Sequence, residues 1–237
     1  MTKFPTAILC ETSTVQDDTM SFKAGDEDLI LQNRKHFLEK NGVAVEQCIP
    51  MCCDHGEKIV IVDENTTLKH YKGIPAEVLI TQKRGTALFL LTADCIPLSL
   101  YDPKTETIAL VHISRKTFVQ QLVQKTLGFL HTTFGVEPAN LLIHLGPHIK
   151  KESYAFSLPL QEESKELIEY TEIRDSYAHI DLEKGSLAHL THAGVLLEHI
   201  TVSPIDTGSS SEHFSYFRAK KEARDTTLRI ATVLMMK

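Results

Sequence analysis

The chain has 237 residues, with 25 basic and 31 acidic side chains, a formal net charge of −6 and 42% hydrophobic residues. A length of this order buries about 70% of the unfolded surface, so folding needs neither disulfides nor a metal. The acidic balance speaks against a nucleic-acid partner, and no run of about 18 apolar residues is present to span a bilayer.

Residues 26–41 read as a helix with Leu29, Ile30, Phe37 and Leu38 on its apolar face and Gly42 as its stop. The run 58–63 reads as a strand buried on both sides. Two further β-rich runs cover 78–80 and 87–91, and 96–101 with 107–112 form a hairpin about the turn Asp102-Pro103-Lys104-Thr105. Ser114 caps a long expected helix, 115–134, which Gly135 ends. A strand over 140–145 runs into Gly146-Pro147, helices are expected over 160–173 and 183–197, and 227–235 is a final strand. Strands come in clusters without strict helix alternation. The expected fold is therefore α+β, with mixed β-sheets and flanking helices in a single compact domain, 1–237. No glycine-rich phosphate loop occurs.

Five cysteines, Cys10, Cys48, Cys52, Cys53 and Cys95, show no disulfide-framework spacing, and Met1-Thr2-Lys3-Phe4-Pro5 lacks the apolar core of a secretory signal. Free thiols without an export signal predict a cytoplasmic protein.

The chemistry concentrates in Thr92-Ala93-Asp94-Cys95-Ile96-Pro97, in Ala109-Leu110-Val111-His112, and in Asp54-His55-Gly56 upstream. One thiol and two imidazoles from three segments can close on one metal ion and leave its fourth position open, which suits a catalytic zinc. Taken singly, each has a plainer reading. Cys95 would be a buried core thiol, His55 a turn histidine and His112 a strand-end histidine among 12 histidines.

The ordered set His55-Gly56, Thr92-Ala93-Asp94-Cys95-x-Pro97, His112 and Leu145-Gly146-Pro147-x-Ile149 resembles the laccase-domain, YfiH-like family. So do Gly25-Asp26 with Asn33-Arg34, and Phe214-Ser215-Tyr216-Phe217-Arg218 with Ala223-Arg224. That family was once labelled multicopper polyphenol oxidase and is now regarded as zinc-dependent purine nucleoside phosphorylase. The resemblance implies His55, Cys95 and His112 as ligands of Zn2+, with copper as the alternative ion. Adenosine, inosine and methylthioadenosine would be the substrates, cleaved with phosphate, and adenosine would also be deaminated. Arg34, Lys116, Arg218 and Arg224 are the candidate phosphate ligands, Asn33 a candidate sugar ligand, and His148 a candidate pocket residue.

After its histidine the family usually has Ala-Gly-Trp-Arg-Gly, whereas this chain has Ile113-Ser114-Arg115-Lys116-Thr117 and no tryptophan at all. Lys116 keeps a charge but loses the planar guanidinium fork. Three other readings stand beside the leading one. A copper-dependent phenol oxidase is disfavoured by the absence of any His-x-His pair. The others are a metal-free Cys-His hydrolase, with Cys95 as nucleophile and His112 as base, and a non-catalytic zinc-binding relative.

Overall fold

The computed structural model describes residues 4–66, 72–158 and 164–237. His70 and the beginning of the expected 160–173 helix lie outside the described residues. In chain order the first strands and helix are β1 (Ile8–Thr12), α1 (Glu27–Lys40), β2 (Cys48–Cys52), β3 (Ile59–Ile61), β4 (Ile74–Pro75), β5 (Val78–Thr81) and β6 (Ala87–Thr92). The hairpin β7 (Ile96–Asp102) and β8 (Thr107–Ile113) follows, then α2 (Arg115–Val119), α3 (Leu122–Phe134) and β9 (Leu142–Leu145). The remainder is β10 (Ala155–Ser157), α4 (Lys165–Ile168), β11 (Thr171–Arg174), β12 (Tyr177–Ile180), α5 (Leu182–His192), β13 (Ile200–Val202), α6 (Tyr216–Lys221) and β14 (Ile230–Met236).

These strands build a five-stranded sheet in the order β1-β14-β6-β2-β4, a six-stranded sheet in the order β13-β9-β7-β8-β5-β3 and a small sheet, β10-β12-β11. Parallel and antiparallel pairs mix in both large sheets, as expected for α+β. The period-two alternation of strand side chains sets the layers. Along β8, Ile108 and Leu110 join Leu79 and Tyr101 against Leu88, Leu90 and Leu234 of the other large sheet. Ala109, Val111 and Ile113 point the opposite way, onto Phe118, Leu122, Leu127 and Leu130 of α2 and α3. On the outer face of the five-stranded sheet, Phe89 and Val233 meet Phe37 and Leu38 of α1. The result is four layers: helix, sheet, sheet, helices. Both large sheets are covered on both faces, which is why their central strands are continuous apolar runs. Each fully buried Leu or Phe in them contributes about 1.5–3 kcal/mol.

Several expectations change in contact with tertiary structure. The helix expected over 115–134 is two helices, because Gln121 adopts a left-handed conformation (φ 59°, ψ 36°) between them; apolar spacing is blind to one such residue. The 58–63 strand is shorter, Ile59–Ile61, and not buried on both sides: it is a sheet edge, paired to β5 alone, with Ile61 38% exposed. Leu29 faces outward at 49% exposure instead of joining the apolar face of α1. Within 160–173, α4 covers only Lys165–Ile168, and Thr171–Arg174 pairs with β12 as a strand. There a cross-strand partner overrides the helical preference of a glutamate-rich segment. The helix expected to reach 197 ends at His192, where Ala193 and Gly194 turn the chain.

Candidate functional site

The same alternation that builds the sandwich delivers its chemistry to one end. Continuing β8 past Ile108 and Leu110, His112 projects into the space between the sheets. Glu77, one residue before β5, sits across from it, and the His112 amide donates to the Glu77 carbonyl at 2.9 Å. Cys95 precedes β7, beside the Pro97–His112 register pair. From the opposite sheet, Cys53 follows β2 and packs against the inter-sheet core. His55 lies two residues further on. The site is the mouth of the sandwich, furnished by both sheets.

Glu77 organises it. Its side chain is fully buried. One carboxylate oxygen, Oε1, accepts from the amides of Asp54 (2.8 Å) and His55 (2.7 Å). The other, Oε2, lies 2.6 Å from His112 Nδ1. With Nδ1 committed to Glu77, His112 has one ring nitrogen left, and the sulfurs of Cys53 and Cys95 are near enough to act on this imidazole. His55 is arranged alike: its Nδ1 lies 3.1 Å from Ser114 Oγ, leaving Nε2 for a ligand, and its ring centroid is 5.2 Å from that of His112. A carboxylate or hydroxyl on one ring nitrogen, with the other nitrogen turned inward, is the usual second-shell support of a metal-binding histidine.

Electrostatics point the same way. Burial pulls His112 toward its neutral form, yet the sulfurs of Cys53 and Cys95 outweigh burial and hold the imidazole well above its usual value. Burial raises the Cys53 thiol, with His112 working against it. Burial also lowers His55, helped by the charge of His112. The protons of the His112 imidazole and the Cys53 thiol are thus coupled, and a metal would replace them with one cation. Thiol and imidazole donors suit zinc or copper better than a hard cation.

Backbone strain lies beside these donors. His55 (φ 63°) and Asp94 (φ 92°) are left-handed non-glycine residues, a conformation costing about 1–3 kcal/mol that persists where its surroundings enforce it. For Asp94 the enforcement is visible. Its carboxylate accepts from Thr207 Oγ1 and from the Phe217 amide, each at 2.7 Å, while its carbonyl accepts from the Ile149 amide at 3.0 Å. Burial pushes the Asp94 carboxyl up against these bonds. The turn before Cys95 is therefore clamped by three segments.

His112 neighbours His55, with ring centroids 5.2 Å apart, and feels the Cys95 sulfur, but the donor atoms that lie within 4.8 Å of one another are those of Cys53, Glu77 and His112. Most of the other residues singled out by sequence are engaged elsewhere. Asn33 Nδ2 donates to the Thr19 carbonyl at 3.0 Å. Arg34 is buried, donates to the Met20 carbonyl at 2.9 Å and lies over the Phe22 ring at 4.1 Å. Burial lowers its guanidinium to about 10. Both tie the 19–22 segment to α1. Arg218 donates to the carbonyls of Thr207 (2.8 Å), Ser210 (2.6 Å) and His213 (2.7 Å) and braces that loop instead of offering its fork outward. Arg224 pairs with Glu222 at 3.2 Å and lines a surface groove that contains none of His55, Cys95 and His112. Lys116 is exposed, and its charge is felt at His55. His148 is fully buried, with Nδ1 2.7 Å from the Gly146 carbonyl and Nε2 3.1 Å from Glu183, so neither nitrogen is left for a pocket. Of the other histidines, His179 is a buried strand residue and His189 stacks on Phe118.

Sequence reasoning missed Cys53, Glu77 and Arg229. Arg229 senses the charges of Cys95 and Asp94, and burial lowers its guanidinium. Tyr154, Phe156 and Phe217 form an aromatic group, with ring centroids 4.8–5.5 Å apart and Arg115 over Phe156, and Tyr154 feels the Cys95 sulfur. The signal for Cys53 and Glu77 was strand parity: each continues the inter-sheet face of its strand.

A family described as multi-copper polyphenol oxidoreductase laccase matches residues 12–237. A purine nucleoside phosphorylase of Streptomyces coelicolor is 28% identical over 201 residues, covering 84% of this chain and 81% of that protein. Another, of Clostridium acetobutylicum, is 30% identical over 173 residues, covering 71% of this chain and 70% of its own. The crystal structure of YlmD from Geobacillus stearothermophilus superposes with a TM-score of 0.83 at 20% identity, over 98% of this chain and 93% of that one. That last likeness concerns the fold.

Proposed function

The chain belongs to the family described as multi-copper polyphenol oxidoreductase laccase, and from that premise we propose that it is a zinc-dependent purine nucleoside phosphorylase. In this reading His55, Cys95 and His112 hold the metal. The observation that carries it is the His112 imidazole, tied to Glu77 through one nitrogen and turned toward cysteine sulfur with the other. Bound there, zinc would supply Lewis acidity near neutral pH.

The remaining work falls to side chains around the mouth. Phosphate oxygen forms a bond to the ribose C1′ as the bond to the purine nitrogen breaks, and the base leaves with that electron pair and takes up a proton. Lys116, whose charge is felt at His55, supplies positive charge for phosphate, whereas Arg229, felt at Cys95, donates to the Thr226 and Leu228 carbonyls. The rings of Tyr154, Phe156 and Phe217 offer a flat surface for the base. Adenosine, inosine and methylthioadenosine are the expected substrates, and hydrolytic deamination of adenosine is the expected side reaction. The Clostridium and Streptomyces relatives bearing the phosphorylase name support the reaction class. Phenol oxidation through several copper centres finds less support, because the described residues gather one cluster of three or more such donors.

A second reading has an observation of its own. Cys95, His112 and Glu77 stand in the order of nucleophile, base and orienting acid, the pattern of a metal-free cysteine hydrolase. Chromatography of adenosine plus phosphate incubated with zinc-loaded protein, with Cys95→Ala as control, tests the leading reading. Adenine formed only by the wild type, and lost on chelation, is expected. Turnover that survives metal removal would replace the phosphorylase reading with the hydrolase one.

A further inference from the structure

The pair Cys52-Cys53 ends β2 at the mouth, with Cys52 exposed and Cys53 partly buried. Cys53, Glu77 and His112 present donor atoms within 4.8 Å of one another, a grouping that does not include His55 or Cys95. Of the three, Glu77 is already spent on two amides and an imidazole. The Cys53 sulfur instead meets the imidazole that also meets Cys95. It reaches this point from the five-stranded sheet, opposite the β5, β7 and β8 ends that supply Glu77, Cys95 and His112.

We propose that Cys53 is a fourth protein donor, which closes the resting metal site as two thiolates and two imidazoles; this rests on the assignment of His55, Cys95 and His112 as ligands. A set of two cysteines and two histidines fills a tetrahedral zinc ion and leaves no open position. Cys53 must therefore withdraw before substrate reaches the metal, and it acts as an internal gate. Withdrawal needs only a turn of the Cys53 side chain, because the Asp54 and His55 amides beside it stay bound to Glu77. The expected consequence is a resting enzyme with low basal turnover that the loss of one sulfur would raise.

Cobalt(II) in place of zinc counts the thiolates, because each bound thiolate adds near-ultraviolet charge-transfer absorbance. Wild-type protein is expected to bind cobalt with a two-thiolate band. Cys53→Ala should keep the cobalt while its band per cobalt falls to about half, since one of two sulfurs is lost. Equal bands per cobalt in the two proteins would overturn the gate and leave the three-ligand site standing. No cobalt uptake by the wild type would overturn the three-ligand assignment itself. A second measurement needs no variant: native iodoacetamide labelling of wild-type protein with and without zinc, read by mass spectrometry at each cysteine. Cys52 should react in both states and Cys53 only after zinc is removed. Equal labelling of Cys53 in both states would contradict the proposal.

Discussion

Two buried histidines, His112 and His148, each rest against a glutamate, and the difference between them shows what makes an imidazole available for chemistry. His148 has Gly146 on one nitrogen and Glu183 on the other, and Lys150 reaches Glu183 at 2.5 Å and the Ser203 carbonyl at 2.7 Å. Every polar atom there finds a partner within the fold, so the cluster is a strut joining the segment after β9 to α5 and β13. His112 has Glu77 on one nitrogen only, and its other side faces cysteine sulfur. Both imidazoles are buried. What differs is the chemistry on the second side of the ring, a carboxylate at His148 and cysteine sulfur at His112.

Changes to the two glutamates should split this comparison cleanly. Glu77→Gln keeps size but removes the anionic acceptor behind His112, and a 10–100-fold weaker zinc affinity is expected by competition titration. The matched change, Glu183→Gln, should leave zinc affinity unaltered and lower unfolding stability by about 1–3 kcal/mol, measured in urea. The acid limb sharpens it further. Hydrogen bonding from His148, joined by Lys150 and opposed by burial, holds Glu183 down at about 2 against an ordinary value of 4.5. A carboxylate depressed on folding stabilises above its unfolded value and loses that contribution as pH falls through the folded one. The stability gap between wild type and Glu183→Gln should therefore narrow as pH falls from about 4.5 toward 2, as urea midpoints at successive pH values would show. A constant gap would remove Glu183 as its source. The smallest effect is expected from Lys116→Ala. An exposed cation is screened by water, so a rise of only about threefold in the phosphate KM is expected, with zinc content unchanged.

Much of this frame is legible in the sequence, and the illegible parts share a cause. The hairpin 96–112 declares itself because both strands are long, apolar and joined by a turn sequence, and His112 ends it visibly. The resemblance to known relatives picks out Cys95 and His55. Cys53 and Glu77 stay hidden because neither looks unusual beside its neighbours. Their meaning comes from which sheet face they continue, and that face is fixed only when two sheets close on each other. Arg34 and Arg218 misled for the complementary reason. Their positions match a motif, but an arginine beside unpaired backbone carbonyls satisfies those first, and the chain around Thr207–His213 and Met20 supplies them. The split at Gln121 and the short α4 likewise depend on single backbone angles or distant partners that apolar periodicity does not encode.

The account stands on the mouth of the sandwich being a metal site centred on His112. Zinc content of purified wild-type, His112→Ala and Glu183→Gln proteins, by elemental analysis after exhaustive dialysis, tests it most directly. About one zinc per chain is expected in the wild type and in Glu183→Gln, and essentially none in His112→Ala. Full zinc in His112→Ala, or none in the wild type, would contradict it.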